Sequence, residues 1–240
     1  MTEPLLSVRD LSCAYTSRSL GPFGKKEVKT VLNRVNLDIR AGEIFGLLGE
    51  SGCGKTTLAR CILGIIEYEG EIFIDGVKRE KIGLTRQLAH TRQLARARQA
   101  QMVFQDPGAS LTPAKKTGGL LEEPLLVHRL GTKEERLRQV DETLIQVGLD
   151  PSYKKRRVNE LSGGQKQRVC IGRALILQPK LLIADEAISA LDVSVGAQIL
   201  NLFRELNEKG QSILFISHNA GAIEYLCDRV AVIKAGRLLE

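Results

Sequence analysis

Gly49-Glu50-Ser51-Gly52-Cys53-Gly54-Lys55-Thr56 follows directly on the apolar run Ile44-Phe45-Gly46-Leu47-Leu48, and this pairing decides the fold. The octet is a full G-x-x-x-x-G-K-[ST] pattern, and the run before it predicts a strand, a loop and a helix in that order. Glycine at 49, 52 and 54 lets the chain turn tightly, so that main-chain N–H groups from Gly49 through Thr57, including those of Glu50, Ser51 and Cys53, can face phosphate oxygens. The positive end of the following helix adds to the attraction. On this reading Lys55 reaches the β- and γ-phosphates of a nucleotide, Thr56 sets its hydroxyl on Mg²⁺, and Thr57 donates to a neighbouring phosphate. Average residue usage gives the pattern by chance in roughly one chain in a hundred of this length, which sets aside a glycine-rich turn that merely precedes a lysine.

Moving outward, Leu5 to Leu11, Val35 to Ile39 and Glu71 to Gly76 read as strands, the last ending in a D-G turn signal. They predict a β-rich part near the nucleotide. Further on, Leu181 to Ala184, Ser212 to Ile216 and Val230 to Ile233 are short continuous apolar runs suited to strands buried on both faces. Helical patterns alternate with them, one carrying Val195, Ile199, Leu202, Phe203 and Leu206 on a single stripe stopped by Gly210. The expected fold is therefore α/β, with a parallel sheet flanked by helices. Between the two groups, Thr132-Lys133-Glu134-Glu135 is a capping box that opens an apolar face of Leu137, Val140, Leu144 and Val147. Residues 106–168 are expected to form a helical subdomain, punctuated by Pro107, Pro113, Pro124 and Pro151, inserted into an α/β core made of 1–105 and 169–240.

The 240 residues suffice for one sizeable core, and 43% hydrophobic content is ordinary for a globular chain. No apolar stretch approaches the roughly 20 residues of a membrane span, and Met1-Thr2-Glu3-Pro4 does not open a secretory signal, so a chain on the cytoplasmic side is expected. Five cysteines, at 13, 53, 61, 170 and 227, lack C-x-x-C spacing and read as reduced thiols. Net charge is +7, drawn largely from Lys78 to Arg98 and from Lys154-Lys155-Arg156-Arg157. Neither segment interleaves aromatics, which make up 4% of the chain, so both read as solvated surface or as surface near acidic lipid headgroups, and no nucleic-acid partner is expected. The six-residue repeat from Thr85 to Ala95 reads as a polar helical insertion.

Hydrolysis needs carboxylates as well as a cradle. Asp185 and Glu186 close the run from Leu181, at the edge of the sheet where a nucleotide would sit. Asp185 can hold Mg²⁺ through its water shell, and Glu186 can orient or deprotonate an attacking water.

Leu161-Ser162-Gly163-Gly164-Gln165, ending 20 residues before Asp185, resembles the signature loop of ABC ATPases. Other motifs of that family follow in register over essentially the whole chain: Gln105 within Met102 to Pro107, Ser189-Ala190-Leu191-Asp192, Ser217-His218, and Tyr15 where an aromatic ring meets adenine. The resemblance implies a P-loop ABC ATPase fold: the parallel sheet, an antiparallel β subdomain and the inserted helical subdomain. It also implies ATP hydrolysis, with Gln105 touching Mg²⁺ and the attacking water, and His218 touching the γ-phosphate. Ser162, Gly163, Gly164 and Gln165 would act in trans, closing on the γ-phosphate held by a second ATPase subunit in a head-to-tail dimer. Ser189 and Asp192 would lie across that interface.

Finer wording, including Glu122-Glu123-Pro124-Leu125 and the insertion Leu20 to Glu27, resembles the ATPases of dipeptide, oligopeptide and nickel importers. In that group two similar but distinct ATPase chains sit at the cytoplasmic face of the membrane beneath two permease subunits, so a sister chain is the expected partner here and an identical copy the alternative. An extracytoplasmic binding protein delivers substrate, and the helical subdomain grips the permease. Ala187 replaces the proline usual after the D-E pair, a change associated with nickel-type members, while Gly108 and Asn219 replace an aromatic and an aspartate. The alternatives are an ATPase serving an exporter or lipid-handling transporter, and a soluble ABC protein acting on ribosomes or DNA. The single cassette, free of large inserts, argues against the last.

Overall fold

The apolar runs become strands because alternate residues feed two separate cores. In a computed structural model describing residues 3–18, 26–79 and 90–239, the chain opens with β1 (Leu6–Arg18), β2 (Lys26–Ile39) and β3 (Ile44–Leu48). Most of the insertion Leu20 to Glu27, and the first copy of the repeat, Thr85 to Ala89, lie outside the described residues. There follow α1 (Lys55–Leu63), β4 (Glu69–Ile74), β5 (Val77–Lys78), α2 (His90–Gln99) and β6 (Ala100–Val103). A run of helices comes next: α3 (Pro107–Ser110), α4 (Thr117–Val127), α5 (Lys133–Gln146), two 3₁₀ turns at Pro151–Lys155 and Val158–Glu160, and α6 (Gly163–Leu175). The chain then returns through β7 (Leu181–Asp185), α7 (Val193–Glu208), β8 (Ser212–Ser217), α8 (Ala220–Leu226), β9 (Arg229–Lys234) and β10 (Arg237–Leu239).

Two sheets result. The larger has the order β10-β9-β3-β8-β7-β6, parallel throughout except for the antiparallel β10, and the smaller is the antiparallel β2-β1-β4-β5. Every residue of β7 and β8 is buried. In β7, Leu181 and Ile183 face one core, shared with α1 and the smaller sheet, while Leu182 and Ala184 face the other, shared with the helical layer. β8 divides the same way, Leu214 and Ile216 against Ile213 and Phe215. Phe215 meets Phe203 of α7 edge to face, 5.8 Å between centroids, and each ring so buried contributes about 1.5–3 kcal/mol.

Because β3, β6, β7 and β8 run parallel, their C-terminal ends share one edge, where ligands of such sheets bind. That edge presents the Gly49–Thr56 loop, Gln105, Asp185 with Glu186, and His218.

The capping box at Thr132 forms with both bonds in place, Glu135 N–H donating to Thr132 Oγ1 at 3.2 Å and Thr132 N–H to Glu135 Oε2 at 2.6 Å. Val140, Leu144 and Val147 are fully buried, whereas Leu137 is exposed. Two of the four prolines behave as stops and starts: Pro107 begins α3 and Pro151 begins a 3₁₀ turn. Pro124 instead lies inside α4, whose buried Leu120, Leu121 and Leu125 anchor the helix across the missing N–H.

Candidate functional site

The loop after β3 is a cradle shaped by absent side chains. Gly52 and Gly54 take φ of 79° and 114°, a region that favours glycine. A Cβ on Gly49 would lie 2.6 Å from the Ile233 carbonyl oxygen. The loop encloses one side of a cavity of about 500 Å³ lined by Glu50, Ser51, Gly52, Gly54, Lys55, Thr56 and Thr57 of the loop and α1, by Val31 of β2, and by Gln105, Glu186 and His218. This volume falls within the usual range for small-ligand sites, about 300–1,000 Å³.

Within it, Lys55 is 6% exposed and folds back on its own loop, Nζ donating to the carbonyls of Gly49 at 2.7 Å and Glu50 at 2.9 Å. Its Nζ also lies 3.7 Å from Glu186 Oε1. The ammonium is thus held over the cradle by acceptors that an anionic ligand can replace. Thr56 Oγ1 donates to Asp185 Oδ2 at 2.7 Å, tying the start of α1 to the end of β7. Asp185 is buried, its Oδ1 has no hydrogen-bond partner, and burial raises its pKa above the usual carboxylate value, against the Thr56 bond, which lowers it. A buried carboxylate oxygen left unpartnered beside a threonine hydroxyl is the donor set a hard divalent cation takes. The cradle, Lys55, Thr56 and Asp185 therefore fit a magnesium nucleotide.

Glu186 follows with φ 51°, a left-handed conformation strained for a glutamate, held by its N–H bond to Ile216 O at 2.9 Å. Its side chain is directed to His218, whose Nδ1 stands 2.7 Å from Glu186 Oε2. The imidazole is 60% exposed and so faces outward from the sheet edge.

Not every residue singled out in the sequence meets in this cavity. Cys53 does not line this cavity but a second crevice of about 340 Å³, together with Val232, Ile233 and Ala235, and Gly49 also borders that crevice. Tyr15 sits on the β1–β2 ribbon opposite Lys29 and is 43% exposed, outside the lining of the loop cavity. Ser162, Gly163, Gly164 and Gln165 open α6 in the helical layer, and Ser162, Gly164 and Gln165 border a different cavity of about 380 Å³, together with Asp150, Tyr153, Arg168 and Gln198. There, Ser162 and Gln165 form a capping box, Gln165 N–H donating to Ser162 Oγ at 3.3 Å and Ser162 N–H to Gln165 Oε1 at 3.0 Å. Asp192 caps α7 through Val195 N–H at 2.9 Å, which with Ser194 lowers its pKa. Ser189 is held by Glu186 O at 2.9 Å.

Several features were not read from the sequence. The S-x-x-Q spacing of Ser162 and Gln165 is itself a capping-box signal and was there to find. The Thr56–Asp185 bond spans 129 residues and the positive φ of Glu186 is set by tertiary context, so neither left a local sign.

Residues 32–189 match the family described as ABC transporter. A putative peptide import ATP-binding protein of Brucella ovis is 45% identical over 243 residues, covering 100% of this chain and 73% of that protein. An oligopeptide transport ATP-binding protein of Bacillus subtilis is 41% identical, over 99% of this chain and 71% of its own length. A glutathione import ATP-binding protein of Pectobacterium atrosepticum is 44% identical over 99% of this chain and 38% of its own. Among solved structures, a dimeric ATP-binding cassette in a post-hydrolysis state with ADP and Pi superposes with a TM-score of 0.79 at 30% identity, covering 98% of this chain and 97% of that one. A component of an ABC transporter complex from Clostridium perfringens superposes at 0.82 and 29% identity, over 100% and 88%.

Fold and cradle define a P-loop nucleotide hydrolase. The chain belongs to the ABC transporter family, as an ATP-binding and ATP-hydrolysing cassette. No helix among the described residues is long and apolar enough to cross a membrane.

Proposed function

We propose that this chain energises import of peptides, bound peripherally at the cytoplasmic face of a membrane to two permease subunits and working as one half of an ATPase dimer. The observation that carries the reading is the 41–45% identity, across nearly all of the chain, to ATP-binding proteins named for peptide import, glutathione import and oligopeptide transport. The dimeric cassette with ADP and Pi supports the pairing of two subunits. A sister chain is the expected partner, with an identical copy as the other arrangement, and an extracytoplasmic binding protein would deliver the peptide.

In this account the chain is one ATPase domain, with 1–105 and 169–240 as nucleotide-binding core and 106–168 as helical subdomain. Tyr15 stacks on adenine; the N–H groups from Gly49 through Thr57, with Lys55, hold the phosphates. Thr56, Gln105 and, through water, Asp185 hold Mg²⁺, which when bound neutralises charge developing on the phosphoryl oxygens. Glu186 orients the attacking water and accepts its proton, with His218 holding the carboxylate and reaching the γ-phosphate. Charge-assisted bonds from Ser162, Gly163, Gly164 and Gln165 reach the nucleotide of the second subunit, each contributing about 1.5–3 kcal/mol, enough in sum to bias closure of the dimer.

The permease docks in the groove of about 460 Å³ between β6 and the helical layer, where Phe104 and Val127 are exposed over a floor of Met102, Leu111 and Leu177. Arg173 at its edge pairs with Glu123 at 3.0 Å.

Reconstitution with the permease and binding protein encoded beside this chain tests the substrate class. Peptide should accelerate ATP hydrolysis by the complex. Acceleration by Ni²⁺ in place of peptide would reassign the cargo.

A further inference from the structure

Gln165 has a partner that neither its helix nor the capping box supplies. Its Nε2 donates to the hydroxyl of Tyr153, 3.1 Å away, while its Oε1 accepts from Ser162 N–H. With both ends of the amide engaged, the side chain can take one orientation only, and Ser162 is fixed with it. Tyr153 is itself clamped. Its ring is half-buried against the helical core, and the Arg156 guanidinium lies over the ring, 3.9 Å from its centroid.

The clamp leads away from α6. Arg156 O accepts both Thr117 N–H at 2.9 Å and Thr117 Oγ1 at 3.1 Å, Lys116 and Arg157 form a β-bridge, and Val158 N–H donates to Lys115 O at 3.2 Å. Two segments far apart in sequence, 115–117 and 156–158, are thereby joined as a short antiparallel pair. Lys115 Nζ in turn meets Glu123 Oε1 at 3.1 Å, and Glu123 lines the groove beside β6. Continuous bonded contacts thus run from that groove to Gln165.

We propose that Tyr153 is a positioning residue for nucleotide binding in trans: its hydroxyl sets Gln165, and through Gln165 the Ser162 hydroxyl and the first N–H groups of α6, in the orientation that receives the second subunit's γ-phosphate. This rests on the reading of Ser162 to Gln165 as the trans site. Tyr153 touches no nucleotide and acts through Gln165 alone, and its place at the end of the paired segments lets movement in the groove reach the phosphate contacts.

Tyr153→Phe removes the hydroxyl and keeps the ring under Arg156, so the fold is preserved. Placed in a Glu186→Gln chain assayed with an identical copy as its partner, it is expected to raise the ATP concentration needed for half-maximal dimerisation about two- to tenfold, the worth of one hydrogen bond, while nucleotide affinity of the monomer's own loop stays unchanged. In a Gln165→Ala background the same substitution should have no further effect, since a residue acting only through Gln165 has nothing left to act on. A wild-type response of Tyr153→Phe, beside a loss of dimerisation in Ser162→Ala, would overturn the role of Tyr153 and leave the trans site standing. An additive loss in the Gln165→Ala background would also overturn it. Wild-type dimerisation of Ser162→Ala would overturn the trans reading itself, and the proposal with it.

Discussion

His218 Nδ1 stands 2.7 Å from Glu186 Oε2, which ties the residue after β8 to the carboxylate after β7 across the edge where the phosphates would lie. The contact fixes the direction of a side chain whose backbone is already strained at φ 51°. Glu186→Gln keeps the shape and removes the carboxylate proposed to accept the proton. Steady-state ATP hydrolysis should fall by about 10²–10⁴-fold, the usual worth of a positioned acid–base group, while equilibrium nucleotide binding persists. Unchanged turnover would remove Glu186 from the mechanism.

His218→Ala leaves that carboxylate without its orienting partner but leaves Lys55 in place. Its hydrolysis rate should drop by about 10²-fold or more, with a smaller change in nucleotide affinity. A stopped-flow binding measurement beside the rate assay separates the two effects.

Asp185 illustrates a site kept at a cost to stability. Burial disfavours its charged form, and Oδ1 has no partner. Asp185→Asn should therefore raise the melting temperature of the nucleotide-free chain, by about 2–4 °C for each kcal/mol relieved, and abolish Mg²⁺-dependent turnover. Scanning calorimetry without nucleotide, paired with an activity assay, checks both halves. A lower melting temperature would show that the Thr56 bond outweighs burial.

Gly49→Ala places a methyl group 2.6 Å from a backbone oxygen of Ile233 and 2.9 Å from its Cγ2. The neighbour cannot swing aside, so the variant should lose about 1–3 kcal/mol in chemical denaturation and bind nucleotide poorly. Native stability would show that the loop can shift without loss.

The cysteines give a chemical readout of the same packing. Burial pushes the thiols of Cys170 and Cys227 up to about 12 and raises those of Cys13 and Cys61, so at neutral pH these four should resist maleimide in the folded chain. Cys53 faces an open crevice and should react, a label that mass spectrometry would lose in Cys53→Ser. Labelling of Cys170 under native conditions would contradict the packing of α6.

Much of this was legible in the sequence because its signals are local. An octet after an apolar run announced β3, the loop and α1; continuous apolar runs announced β7 and β8; Thr132 and Glu135 announced α5. The parallel sheet brings Gln105, Glu186 and His218 to one edge, so once strand order follows from the fold, their meeting does too. What stayed hidden depends on contacts between distant segments. Nothing near Cys53 shows that it lines a crevice with Ile233, nothing near Pro124 shows that Leu120, Leu121 and Leu125 carry α4 past it, and nothing near Tyr153 announces a bond to Gln165. Tyr15 and the Ser162 loop lie apart from the loop cavity in one chain, as expected if the second of them serves another subunit's nucleotide.

That last relation is the central claim, and mixing two inactive variants tests it most directly. Lys55→Ala disables a chain's own phosphate loop, and Gly164→Val, whose branched side chain would crowd Val195, disables the start of α6. If the two elements act on one nucleotide from different chains, a mixed dimer holds one intact composite site, and ATP hydrolysis returns when the variants are combined. If the wild-type chain alone hydrolyses ATP as its own partner and the mixture stays as inactive as either variant alone, the elements of a single chain serve the same nucleotide, and the account is wrong.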